Sequence, residues 1–348
     1  MIVNTVWMRV AAAVLLSVAV ISFAACSLQP RYALPNNLRL AIEGRPIVDG
    51  SEETVLQLDA SAPLPVVRLK LGGPFGGAAQ ACALIDTGAL LYLDLPSSLA
   101  ERVRPWVWRD SVGRVRTWSF GEGAASLGVL GHVDLGNARL SHVPVIVSPQ
   151  NRRFTTLILG IQAMTLFESV EFDWDRSQLT LRRASLAPPQ SCRPLSPTPD
   201  RVSIRWWHPM GGAVGRDRGY ITIPAVVAGL DTQVLLDTGC GGDLLVPQSV
   251  VTQEPWASCL EDGGFINVYG ANNTVLTKRM MFRGEFRLGG HAFTNLLVAV
   301  FDDSVLPPGA SPIAVVGVPL LRRFQNVVFD FANETVIFAR DEGAEGID

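Results

Sequence analysis

Short apolar runs recur along the whole chain, each bounded by Gly, Pro, Asn or Asp. Val66 to Leu71 (VVRLKL) and Tyr220 to Ile223 (YITI) alternate apolar and polar positions or nearly so, the period of a half-buried strand. Ala83-Leu84-Ile85 and Val234-Leu235-Leu236 are unbroken apolar runs that predict buried strands, and each ends in an aspartate. Gly72-Gly73-Pro74-Phe75-Gly76-Gly77 reads as a hairpin turn leading into the strand that enters Asp86. It is not a phosphate loop, because no Lys follows and no helical period begins there. Short helices are expected at Ser97 to Val103, Ile161 to Phe167 and Pro319 to Phe324, and β-structure elsewhere. Between Pro188 and Pro199 five prolines interrupt any ladder or helix, which predicts a linker.

Composition supports this picture. The 348 residues are 48% hydrophobic and 18% charged, enough for a sizeable core and against disorder. With 32 Gly and 23 Pro spread along the chain, many short strands are favoured over a helical bundle. The balance of 29 basic and 32 acidic residues leaves a net charge of −3, without the footprint of a nucleic-acid binder. Four scattered His and no paired-Cys spacing give no basis for a metal site.

One apolar segment stands apart. Val10 to Ala25 runs sixteen residues without a charge, short for a membrane span and suited to the apolar region of an export signal. It closes on Phe23-Ala24-Ala25-Cys26, which resembles a bacterial lipobox, with Phe23 where Leu is usual and Cys26 as the lipidated residue. Residues 1–25 are then a signal peptide, and Ser27 suggests outer-membrane sorting. A conventional signal cleaved near Ala25 and an uncleaved anchor are the other readings, and all three place the rest of the chain outside the cytoplasm. Export permits disulfides, so Cys82, Cys192, Cys240 and Cys259 can form two bridges, Cys240–Cys259 and Cys82–Cys192, or remain four thiols.

The organising feature is an internal repeat. Ala83-Leu84-Ile85-Asp86-Thr87-Gly88-Ala89 is answered 151 positions later by Val234-Leu235-Leu236-Asp237-Thr238-Gly239-Cys240. In the same order, Asp94-Leu95-Pro96 is answered by Leu245-Val246-Pro247, and Pro105-Trp106 by Pro255-Trp256. Gly131 to Gly136 is answered by Gly284 to Gly289, and Ile158-Leu159-Gly160 by Val315-Val316-Gly317. Phe172-Asp173-Trp174 is answered by Phe329-Asp330-Phe331. The chain thus divides into a tether or N-terminal segment at 26–49, a first unit at 50–185, a linker at 186–201, a second unit at 202–340 and a tail at 341–348. The tether can equally be an inhibitory segment or a first strand.

The chemistry of the repeat follows from its residues. A carboxylate at the end of a buried strand is costly unless hydrogen-bonded, and its pKa is easily raised. The following Gly allows a sharp turn that brings backbone N–H groups toward it. Two such half-sites in similar units invite a pseudo-twofold arrangement in which the carboxylates meet and share one proton. One member can then take a proton from water while the other gives one to a carbonyl oxygen, which is direct amide hydrolysis without metal or cofactor.

Asp-Thr-Gly-Ala, the apolar-apolar-Gly element downstream and the closing Phe-Asp strand resemble the aspartic proteases, specifically the retropepsin-like lobe. Two such lobes in one chain are similar to the pepsin arrangement. The resemblance spans both units and implies an all-β, bilobal fold of two homologous β-barrel-like lobes with short helices. It implies that Asp86 and Asp237 are the catalytic pair, that Thr87 and Thr238 lock the two loops together, and that Gly88 and Gly239 lie beside the lytic water. Gly160 and Gly317 match the glycines that thread under each loop. Cys240 departs from the Ser or Ala usual there. The substrate-covering flap is expected at Trp118 to Gly123, with Gly121 and Gly123 as its glycines, or at the matching Tyr269-Gly270, so one flap or two stay open. The implied activity is that of an aspartic endopeptidase on a peptide or protein substrate, working as a monomer in the cell envelope, periplasmic and held to the outer membrane by its lipid. A non-catalytic peptide-binding or scaffolding lipoprotein of the same fold, and lobes that pair between chains, are the competing readings.

Overall fold

The computed structural model describes residues 46–117, 121–148, 156–183, 200–207, 219–269, 274–305 and 311–339, with side chains left out at 108–125, 267–276 and 305. The signal segment, Cys26 and the proline-rich stretch with Cys192 therefore lie outside the described residues.

The architecture is all-β and bilobal. Val66–Gly72 shows how the pattern folds: Val67, Leu69 and Leu71 are buried while Arg68 and Lys70 face outward. In the first lobe the sheet order is Ile47–Gly50, Ala138–Ser148, Leu93–Pro96, Leu157–Gly160, Ala78–Asp86, Val66–Gly72, Gly121–Leu135, Trp106–Thr117. In the second lobe Leu296–Phe301, Leu244–Pro247, Ala314–Val316, Leu230–Leu236 and Tyr220–Val227 follow one another in the corresponding order. Each lobe threads a short strand between two others. Leu157–Gly160 runs parallel to Ala78–Asp86, with Gly160 opposite Asp86, and antiparallel to Leu93–Pro96. Ala314–Val316 repeats this against Leu230–Leu236 and Leu244–Pro247.

A third, six-stranded antiparallel sheet takes three strands from each half. Its order is Asp200–Ser203, Thr335–Ala339, Asn326–Asp330, Ser169–Asp173, Gln178–Arg182, Glu53–Gln57. At its centre the repeated tails pair with each other: Ser169 opposes Asp330, Val170 opposes Phe329 and Glu171 opposes Val328. Glu171 and Val328 are repeat equivalents, so the pseudo-twofold axis passes between them. Beneath the sheet Phe172 stacks on Trp174 at 5.1 Å and meets Phe329 edge-on at 5.8 Å, while Phe331 stacks on Trp206 at 6.2 Å.

The structure departs from the sequence reading in several places. The first helix covers Ser97–Val103 as expected, but the other two are single turns at Ile161–Met164 and Val318–Leu321. Trp106 and Trp256 are not equivalent: Trp106 opens a strand and is 41% exposed, whereas Trp256 opens the short helix Trp256–Cys259 and is buried against Phe282. The long first-lobe strands Gly121–Leu135 and Ala138–Ser148 correspond to pairs of shorter strands in the second, interrupted around Gly284 and Asn295. Strands Ile47–Gly50 and Asp200–Ser203 begin inside the segments read as tether and linker.

The Cys240–Cys259 bridge is absent, and both residues, like Cys82, are free thiols. Cys240 sits in the loop after Asp237, against Gly242 and Gly317, whereas Cys259 ends a helix and lies against Gly284. Cys82 is exposed opposite Arg68 on its strand, and its suggested partner Cys192 is outside the described residues.

Candidate active site

Two strands bring the aspartates together. Ala83 and Ile85 are fully buried ahead of Asp86, as Val234 and Leu236 are ahead of Asp237, so each carboxylate emerges where its lobe's core ends. In each loop the glycine N–H returns to the aspartate: Gly88 N donates to Asp86 Oδ1 at 2.8 Å and Gly239 N to Asp237 Oδ1 at 2.7 Å. The glycines also face the opposite carboxylate. A Cβ on Gly88 would fall 2.3 Å from Asp237 Cγ, and one on Gly239 would fall 2.5 Å from Asp86 Cγ. No side chain larger than hydrogen fits at either position.

The two threonines hold the loops by crossed bonds. Thr87 N donates to Thr238 Oγ1 at 3.0 Å, and Thr238 N donates to Thr87 Oγ1 at 2.9 Å. Each hydroxyl in turn donates across the axis, Thr87 Oγ1 to the Leu236 carbonyl at 2.8 Å and Thr238 Oγ1 to the Ile85 carbonyl at 2.7 Å. Both threonines have no exposed surface, so each hydroxyl satisfies two backbone groups that water cannot reach.

Behind the loops, Gly160 and Gly317 occupy matching positions. A Cβ on Gly160 would approach the Leu91 carbonyl oxygen to 2.3 Å, and one on Gly317 the Gly242 carbonyl oxygen to 2.2 Å. Their neighbours clamp the loops in like fashion, Ile161 N to the Ala89 carbonyl and Val318 N to the Cys240 carbonyl, each at 2.9 Å.

Electrostatics follow from this packing. The carboxyl groups of Asp86 and Asp237 are hydrogen-bonded to each other. Burial first, and then the charge of Asp237, pushes the Asp86 pKa well above the carboxylate range. Burial also raises Asp237, while the bonds from Asp86 and from the Gly239, Cys240 and Gly88 backbone hold it down in part. The pair therefore keeps one shared proton into a range where separate carboxylates are ionised. Beside it, burial and then Asp237 push the Cys240 thiol up to about 12, so it stays protonated. No cluster of His, Cys, Asp and Glu able to hold a metal ion occurs among the described residues.

The flap positions are only partly described. Gly121 and Gly123 lie on a strand paired with Trp106–Thr117, the pairing closing at Thr117 opposite Gly121. Tyr269 ends a strand whose last pair is with Thr274. Both halves thus carry a hairpin there, and Trp118 and Gly270 lie outside the described residues.

The sequence reading did not include the wall of the site. A small cavity of about 30 Å³ next to Asp237 and Gly88 is lined by Tyr220, Leu235, Leu245, Phe301 and Val315. The signal for one of these residues stands in the repeat itself, where Leu245 answers Asp94.

No known family model matches the sequence, and no curated protein matches it. Among solved structures, an aspartic proteinase from Irpex lacteus is similar over 84% of this chain and 99% of its own, at 14% identity and a TM-score of 0.47.

Proposed function

We propose that the chain is an aspartic endopeptidase in which Asp86 and Asp237 activate water for attack on a peptide bond. The observation that carries this reading is the mutual hydrogen bond of the two raised carboxyls inside the crossed threonine lock. The Asp237 carboxylate takes a proton from water as its oxygen adds to the carbonyl carbon. The Asp86 carboxyl gives its proton to the carbonyl oxygen, forming a tetrahedral diol. Collapse of the diol breaks the C–N bond as one diol hydroxyl returns its proton to Asp86, and the proton held by Asp237 passes to the leaving amine. Both half-sites come from one chain, which favours a monomer over lobes paired between chains. The shared proton also favours hydrolysis over a purely binding role, because a binding cleft has no need of two carboxyls buried against each other.

Replacing Asp86 or Asp237 singly with Asn should abolish cleavage of a diverse peptide library across pH ~3 to 7. Substantial cleavage by either variant would exclude the in-chain dyad, and its absence in the wild type would favour the binding role. We further propose that the protein is exported and anchored at Cys26. Metabolic labelling with a lipid precursor should mark the wild type and not Cys26→Ser; equal labelling of both would refute the anchor.

A further inference from the structure

The first lobe carries an exposed patch that its repeat does not share. The turn between Val66–Gly72 and Ala78–Asp86 is closed by Gly73 N, which donates to the Gly77 carbonyl at 2.7 Å. Phe75 stands in this turn and is 67% exposed. The turn packs on the end of the helix Ser97–Val103. A Cβ on Gly77 would fall 2.5 Å from the Arg102 carbonyl oxygen, and one on Gly73 would fall 3.0 Å from that of Arg104. Trp106 follows Arg104 closely and pairs with Val129. Farther along the Val129 strand, a Cβ on Gly131 would fall 3.1 Å from the Pro74 nitrogen, so the turn and Trp106 lie against one stretch of strand. Phe75, Arg102, Arg104 and Trp106 therefore sit together at one end of the lobe, and all four are exposed.

The charge of the patch is positive. Neither Arg102 nor Arg104 has an ion-pair partner among the described residues, and Glu101 is the only carboxylate of the helix. The sequence of the strand Trp106–Thr117 adds three arginines against one aspartate. In the second lobe Thr252 and Glu254 stand where Arg102 and Arg104 do, and Trp256 is buried against Phe282. The fold thus has a way to bury this tryptophan and no need of the two arginines, so packing alone does not account for the patch. Neighbouring exposed aromatics flanked by cations are the composition of a surface that meets lipid headgroups.

We infer that this end of the first lobe lies on an anionic phospholipid bilayer, with Phe75 and Trp106 among the headgroups and Arg102 and Arg104 on the phosphates. The nearness of a membrane comes from the export reading, and nothing here depends on hydrolysis. The twenty residues from Ser27 to Pro46 join Cys26 to the first lobe and reach about 70 Å when fully extended. That exceeds the roughly 40 Å width of a lobe of this size. A chain anchored at Cys26 can therefore lay the patch on the same bilayer that holds its lipid. Two arginines near an anionic surface strengthen binding about twentyfold.

Arg45–Asp348 forms one compact unit, so the surface can be tested without signal or lipid, on the chain lacking residues 1–26. This chain is sedimented with vesicles of phosphatidylcholine alone or mixed with phosphatidylglycerol. Binding to the mixed vesicles should be about twentyfold tighter and should weaken as salt is added. Arg102→Gln combined with Arg104→Gln should remove that preference. Phe75→Ser and Trp106→Ser should each weaken binding to the mixed vesicles about fivefold. Phe265→Ser, which removes a 71% exposed aromatic from the second lobe, should leave binding unchanged. Phe75→Ser, in an exposed turn, decides the matter if Trp106→Ser does not fold. No binding to the mixed vesicles, equal binding to both compositions, or equal weakening by Phe75→Ser and Phe265→Ser overturns the inference. Vesicle binding by a protein whose Cys26 takes no lipid label keeps the surface and removes the anchor, whereas labelling without vesicle binding keeps the anchor and removes the surface.

Discussion

At Asp86 burial and the neighbouring Asp237 act together against ionisation, while at Asp237 burial does so and the bond from Asp86 joins the loop N–H groups in opposing it in part. Ala89 and Cys240, the residues after the loop glycines, bring no hydroxyl to strengthen that opposition. This has a consequence for stability. A carboxyl whose folded-state pKa lies above its unfolded value binds its proton more tightly in the native chain. Its contribution is complete below the unfolded value, ~3.9, and is lost as pH rises through the folded one. Each unit of separation corresponds to about 1.4 kcal/mol. Asp86→Asn should therefore gain stability on the wild type as pH rises from ~4, in urea unfolding followed across a pH series. Parallel profiles for the two proteins would show that the pair is not strained by ionisation. Residues of this kind were legible in the sequence because their signal is local: an apolar run, an aspartate and a glycine, written twice.

Elements were legible to the extent that their determinants are local. The helix at Ser97–Val103 and the hairpin turn before Ala78–Asp86 follow from a few adjacent residues. Strand faces also follow, because alternation fixes which side chains point inward. Strand partners do not, since a period of two is compatible with any neighbour. The tails at Phe172 and Phe329 were visible as repeats, but nothing in their spacing says that they pair with each other across the axis. The cysteine pairing was unreadable for a similar reason: an even count and a short separation carry no information about which face of the lobe each thiol occupies. The matched Pro-Trp pairs show a further limit, because one tryptophan opens an exposed strand and the other packs against Phe282 from a helical turn. Asp94 shows the opposite case. Its difference from Leu245 was present in the aligned repeats, and only the strand pairing puts the two at matching positions of their separate lobes.

Two lobes of one ancestry need not fold as two units. Each contributes three strands to the six-stranded sheet, and Glu53–Gln57, from the start of the first half, closes one edge while Asp200–Ser203 closes the other. Separating the halves would take Phe172 and Phe329 off each other and break the four crossed threonine bonds at the site. Each buried phenylalanine contributes about 1.5 to 3 kcal/mol. Each unmade bond at a buried backbone group costs about 1 to 3 kcal/mol more. Arg322 adds a tie by donating to the Ala62 carbonyl at 3.2 Å while lying 5.4 Å over Trp174. These losses are of the same order as the ~5 to 15 kcal/mol by which a domain is ordinarily stable, so neither half should persist once the other opens. The whole chain should unfold in one transition, with coincident midpoints for probes placed in each lobe and a calorimetric enthalpy equal to the van't Hoff value. Two resolved transitions would mean that the shared sheet is a docking surface between independent lobes, and that the active pair is assembled only after each lobe has folded alone.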